Sequence, residues 1–106
     1  MKNFQNNFEI SGFVGYTEVK NFDKTSVCRF SLNVSKNKDS ERVSAFMNVE
    51  AWKKNEEAEE AFKTLEKGNL VTIEGYFKPE EWTDKEGKKQ NRVVLVANKF
   101  YPIEDK

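Results

Sequence analysis

Residues 67–92 read K-G-N-L-V-T-I-E-G-Y-F-K-P-E-E-W-T-D-K-E-G-K-K-Q-N-R. Gly68 is placed to stop a preceding helix, and the alternation that follows predicts a strand over 70–77, with Val71, Ile73, Gly75 and Phe77 on one face and Tyr76 on the other. Beyond Phe77 the chain turns charged, yet it carries Trp82 among Lys, Glu, Thr and Asp neighbours. The tetrapeptide Asp84-Lys85-Glu86-Gly87 predicts a type I turn whose glycine supplies the left-handed residue of a bulge. A tryptophan exposes a large apolar area. On a charged hairpin arm, that area suits a flat partner such as an unstacked base.

Working outward, residues 91–101 form the returning strand and Pro102 ends it. Upstream, residues 55–67 predict a helix. Asn55 is its expected N-cap, Glu56 and Glu57 favour the positive end of the dipole, and Ala58, Ala61, Phe62 and Leu65 make the apolar stripe. Three strands precede it. Residues 8–14 alternate with Phe8, Ile10, Gly12 and Val14 on one face, and Gly12 and Gly15 predict a bend or a close backbone approach. Residues 17–26 read as a loop, 27–35 as a strand with Cys28, Phe30, Leu32 and Val34 inward, and 36–40 as a short polar loop. Residues 42–52 form the third strand, whose expected core set is Val43, Ala45, Met47, Val49 and Ala51. The opposite parity holds Phe46, Asn48, Glu50 and Trp52, which is not a second core. Those rings are either covered by a loop or a partner subunit, or they are exposed stacking platforms.

Three strands, a helix and two strands make one domain over 1–106, without linker, repeat or low-complexity segment. The expected architecture is all-β with one helix: a five-stranded OB-fold, a Greek-key barrel with the helix between strands 3 and 4 and an extended hairpin joining strands 4 and 5. An α+β sandwich and a small open sheet are the alternatives.

Composition narrows the function. With no histidine and a single cysteine, Cys28, the chain has neither an internal disulfide nor the usual zinc ligands. It also lacks a nucleophile motif and a phosphate-cradling glycine loop, so neither enzymatic chemistry nor a cofactor is expected. Cys28, alternating with core residues, reads as an inert buried thiol. No stretch reaches the ~20 apolar residues of a membrane span, and no signal-peptide core opens the sequence, so a soluble cytoplasmic protein is expected. Net charge is zero, but residues 55–66 hold five glutamates against Lys63, a local −4 that leaves +4 for the remainder. The cations interleaved with the aromatics are Lys36, Lys38, Arg42, Lys53, Lys78, Lys88, Lys89 and Arg92, the candidate phosphate contacts.

Taken together, N-x-F-x-I-x-G-x-V-G, C-R-F-S-L-N-V, F-M-N-V-E-A-W, L-E-K-G-N-L-V-T-I-E-G and W-T-D-K-E-G-K with V-V-L-V-A-N resemble the bacterial single-stranded DNA-binding protein family over essentially the whole chain. The resemblance implies an OB-fold, binding of single-stranded DNA with little sequence preference in replication, recombination or repair, and a homotetramer, with a dimer as the lesser assembly. It places the stacking rings at Phe46, Trp52 and Trp82. Two departures stand out: the 36–40 loop lacks the tryptophan some members carry, and Glu80 and Glu81 occupy positions often basic. The sequence ends at Ile103-Glu104-Asp105-Lys106, so recruitment of repair proteins by a long acidic tail is not expected of these residues. The same fold also serves primosomal-type protein adaptors, which neutral charge and the hairpin glutamates favour. Single-stranded RNA is recognised by the same stacking and phosphate contacts.

Overall fold

The computed structural model describes residues 5–38 and 41–103, with the side chains of residues 36–38 and 41–42 outside that set. Five strands of equal length, β1 (Phe8–Asn21), β2 (Thr25–Lys38), β3 (Glu41–Lys54), β4 (Leu70–Thr83) and β5 (Lys89–Pro102), close into a barrel in the order β1-β2-β3-β5-β4. Helix α1 (Asn55–Phe62) and a 3-10 turn (Lys63–Leu65) lie between β3 and β4. This is the expected five-stranded OB barrel. Four pairings are antiparallel; the closure of β3 on β5 is parallel and brief, Val49–Ala51 against Leu95–Ala97.

The core follows the alternation in the sequence. Val14, Cys28, Phe30, Leu32, Val49, Ala51, Val71, Ile73 and Ala97 point inward, and Ala58, Phe62 and Leu65 from the helical segment pack into the same cluster. Each fully buried Leu, Ile or Phe contributes about 1.5–3 kcal/mol from area removed from water. Burial also raises the Cys28 thiol above its ordinary pKa, which suits an inert core residue. Gly12 is the close approach expected: a Cβ there would overlap the Asn33 carbonyl oxygen. Gly15 lies in the register shift between Val14 and Thr17.

The strands run further than the apolar periodicity. β1 continues through the expected 17–26 loop to Asn21, and only Phe22, Asp23 and Lys24 separate it from β2. The reason is a change of neighbours. Phe8–Phe13 pair with β4 inside the barrel, whereas beyond the bulge the strand pairs with β2 alone, and there it buries little and shows no period. The expected 36–40 loop likewise shrinks, because the β2–β3 ladder reaches Lys38↔Glu41. Of the expected core set on β3, Val49 and Ala51 are buried and Met47 partly so, while Val43 and Ala45 are exposed where the hairpin passes the barrel wall. The β4–β5 ladder extends to Thr83↔Lys89. These projecting arms raise the radius of gyration to 15.9 Å, against about 13 Å for a compact 100-residue domain.

The helix is shorter than residues 55–67, and Asn55 does not cap it. The N-cap position is Lys54, without a side-chain bond. Asn55 instead donates from Nδ2 to the Phe22 and Asp23 carbonyls and accepts from Ser26 Oγ, at 2.6–3.0 Å. Its amide is therefore spent on fastening the β1–β2 turn. Gly68 does adopt a left-handed φ of +94°, but beyond the 3-10 turn, where its N–H reaches the Val14 carbonyl.

Candidate nucleic-acid interface

The outward parity of β3 makes one half of the interface. Phe46 is 67% exposed and Trp52 39% exposed, so the described residues bury neither ring. Six strand residues at ~3.3 Å each set them roughly 20 Å apart. Trp52 is held firmly. Phe22 from the β1–β2 turn lies stacked against it, ring centroids 5.9 Å apart and planes 22° from parallel. Its indole Nε1 donates to Glu50 Oε1 at 3.3 Å. Val27, cross-strand from Trp52, is completely buried although it faces away from the core parity.

Trp82 sits on the other arm, 45% exposed, opposite Gln90 in the ladder. The Arg92 guanidinium lies over its ring at 5.5 Å, and Arg92 in turn donates to Glu80 from Nε at 3.0 Å. That bond holds the Glu80 carboxyl below its ordinary pKa. The tip has the expected geometry: Gly87 takes φ +83° and donates to the Asp84 carbonyl at 3.0 Å. Asp84 Oδ1 accepts the Lys88 and Glu86 amides at 2.9 Å, and the Lys88 bond leads in depressing the Asp84 pKa.

The candidate cations fall into distinct groups. Lys88 and Lys89 are exposed at the arm's tip. Lys78 is tied to Glu50 at 3.5 Å and Glu80 at 3.4 Å, and Arg92 to Glu80 at 2.9 Å. Lys53 lies over the Phe100 ring at 5.4 Å, next to Phe62, so it sits on the helix side, away from Trp52. The side chains of Lys36, Lys38 and Arg42 lie outside the described residues. Between the two arms, where β3 and β5 diverge, runs a groove of about 280 Å³ whose lining includes Tyr16, Arg29, Asn48, Glu50, Arg92 and Val93.

Four of these residues were not singled out from sequence: Tyr16, Phe22, Arg29 and Glu50. Phe22 carries the same signal as Trp82, an aromatic alone in a polar turn, and a loop over 17–26 does not express it. Glu50 was placed on the aromatic face but not recognised as buried; it is 7% exposed. Its partners come from two other strands, which no local pattern reveals.

A five-stranded OB barrel with a groove between two arms, each bearing outward aromatic rings, defines the class: a fold that offers flat, sequence-tolerant surfaces rather than a reaction centre. The chain belongs to the single-strand binding protein family, whose model matches residues 5–103, and members of this family bind DNA without catalysing a reaction. Among solved structures, a Plasmodium falciparum SSB in complex with ssDNA superposes with a TM-score of 0.76 at 14% identity, covering 98% of this chain and 99% of that one. At that identity the likeness establishes the fold. No curated protein matches the sequence.

Proposed function

We propose that this chain binds single-stranded DNA independently of sequence, stacking bases on Phe46, Trp52 and Trp82 and drawing phosphates to lysines and arginines along the two arms. The observation that carries the reading is the exposure of all three rings on arms that flank one groove. Family membership and the fold shared with the ssDNA-bound SSB support it. On the β4–β5 arm Lys88 and Lys89 are the leading phosphate contacts, with Lys78 and Arg92 weakened in that role by their carboxylate partners, and Lys36, Lys38 and Arg42 are those of the β2–β3 arm. Because carboxylates already engage Lys78 and Arg92, stacking carries much of the affinity. The expected log–log salt dependence is therefore shallow, each phosphate neutralised adding about −0.7 to the slope. Fluorescence titration with oligo-dT, oligo-rU and duplex at two salt concentrations tests this. Tight, quenching binding of dT is the expected result, and a preference for duplex or no binding at low salt overturns it.

The same proposal includes self-association into a homotetramer, or a dimer at least. Phe13, Tyr76 and Tyr101 leave large apolar areas exposed on the outer barrel wall. Sedimentation at micromolar concentration should find more than the 12.4 kDa monomer. The cytoplasm, where single strands arise in a bacterial cell, is the proposed location. No described helix is long and apolar enough to cross a membrane. One observation favours a protein adaptor instead: the carboxylates Glu50 and Glu80 already occupy three arginines and lysines beside the groove. Failure to bind any oligonucleotide would put that reading first.

A further inference from the structure

Among the described residues, Glu50 is the carboxylate that lines the groove between the arms. It lies on the aromatic parity of β3 between Asn48 and Trp52, it lines the inter-arm groove, and it is almost fully buried. Three groups from three strands converge on it. Arg29 Nε of β2 donates to Oε2 at 3.3 Å, Lys78 Nζ of β4 stands 3.5 Å from Oε1, and the Trp52 indole N–H donates to Oε1 at 3.3 Å. Lys78 continues the chain to Glu80, and Glu80 to Arg92 over the Trp82 ring. Glu18 is the cross-strand neighbour of Arg29 on its other side and is paired with Lys20 at 3.9 Å.

We propose that Glu50 is a positioning and specificity-determining residue. It aims the Trp52 ring while withholding Arg29 and Lys78 from the phosphates of a bound strand, so that the middle of the interface is given to bases. The proposal rests on the single-strand-binding reading above. Its physical ground is that a strand presents two chemistries, flat faces and anionic linkers, and a buried carboxylate discriminates between them. It repels a phosphate entering the groove and neutralises the cations that would attract one. Through the indole N–H it also fixes the ring on which a base must lie. The hairpin glutamate Glu80 extends the same arrangement to Arg92, leaving Lys88 and Lys89 at the tip as the phosphate-facing cations of that arm.

The test is a cycle of oligo-dT titrations across salt concentrations on the full chain, with tryptophan emission as the second readout. Glu50→Gln keeps an oxygen for the indole and removes the charge. Its salt slope should steepen by about 0.7 to 1.4, one or two further phosphates, with the dT-induced quench retained. Lys78→Gln should then remove about 0.7 of slope in the Glu50→Gln background and markedly less in the parent. Equal steps in the two backgrounds, or an unchanged slope in Glu50→Gln, would overturn the proposal. Should Glu50→Gln not fold, Arg29→Gln in the parent decides: a fall in slope of about 0.7 means that Arg29 already meets a phosphate, against the proposal, and a smaller fall supports it. If the parent itself fails to bind oligo-dT, it is the single-strand-binding reading that fails, a result the slopes cannot imitate.

Discussion

The β2–β3 and β4–β5 hairpins are built from strands of equal length, and each carries a tryptophan outward, yet they hold it by opposite means. Trp52 stands where its hairpin joins the barrel. A second ring stacks on it, an indole hydrogen bond reaches a buried carboxylate, and the Asn55 amide pins the turn that brings Phe22. Trp82 stands well beyond the barrel wall, on an arm whose ladder neighbours are Glu80, Glu81, Asn91 and Arg92, and a guanidinium over its ring is what orients it. One ring is fixed by packing, the other by charge. A ring already fixed loses little freedom when a base arrives, so it should give more of its stacking energy as affinity. A ring on a projecting arm must be ordered first and can move to follow the strand.

Removing each tryptophan tests that difference most strongly. Stacking is worth about 1–3 kcal/mol per base, so Trp52→Ala should weaken oligo-dT binding by roughly 100-fold, and Trp82→Ala by roughly 5- to 10-fold. Fluorescence anisotropy with labelled oligonucleotides measures both, and equal losses would break the comparison. The next effect in size is indirect. Phe22→Ala leaves Trp52 in place but removes the ring stacked on it. A ring pair of this kind contributes about 0.5–1.5 kcal/mol, so affinity should drop roughly 2- to 12-fold, with the emission of Trp52 shifted to the red before any DNA is added. If emission and affinity both hold, Trp52 is positioned without Phe22.

Arg92→Lys sharpens the comparison on the other arm. It keeps the positive charge but loses the planar guanidinium, and with it the two-point grip on Glu80 and the orienting contact on Trp82; the latter is worth about 0.5–1 kcal/mol at an exposed site, or roughly 2- to 5-fold in affinity. The salt slope should stay as it is. The smallest effect lies at the tip. Asp84 has a folded pKa below its ordinary 3.8 because it accepts backbone amides, Lys88 foremost. Its contribution to the turn is therefore complete above the unfolded value and fades as the pH falls through the folded one. Amide exchange at Glu86 and Lys88 should quicken on acidification below about pH 4 relative to Asp84→Asn, which does not titrate, while the emission of Trp52, far from the tip, should not follow it.

What the sequence settled by itself was whatever repeats locally. Alternation at Phe8–Val14, Cys28–Leu32 and Val71–Ile73 marked strands with one buried face, because a strand inside a barrel repeats every second residue. The Ala58, Phe62 and Leu65 stripe marked the helical plug, and Asp84–Gly87 the hairpin tip, because helix packing and turn conformation depend on residues close in the chain. The outward rings at Phe46, Trp52 and Trp82 were visible for the same reason, as large apolar side chains on the wrong parity or in polar company.

Tertiary structure alone decided the rest. Where β1 runs on beyond Val14 and β4 beyond Phe77, each keeps one neighbour and loses the buried face, so their true lengths carry no period. Asn55 looked like a helix cap, and a turn more than thirty residues upstream claimed its side chain instead. Glu50 looked like an exposed polar residue between two aromatics. Its burial, and with it the orientation of Trp52, depends on Arg29 and Lys78, each more than twenty residues away, and a hydrogen bond across that distance leaves no mark on the sequence around either end.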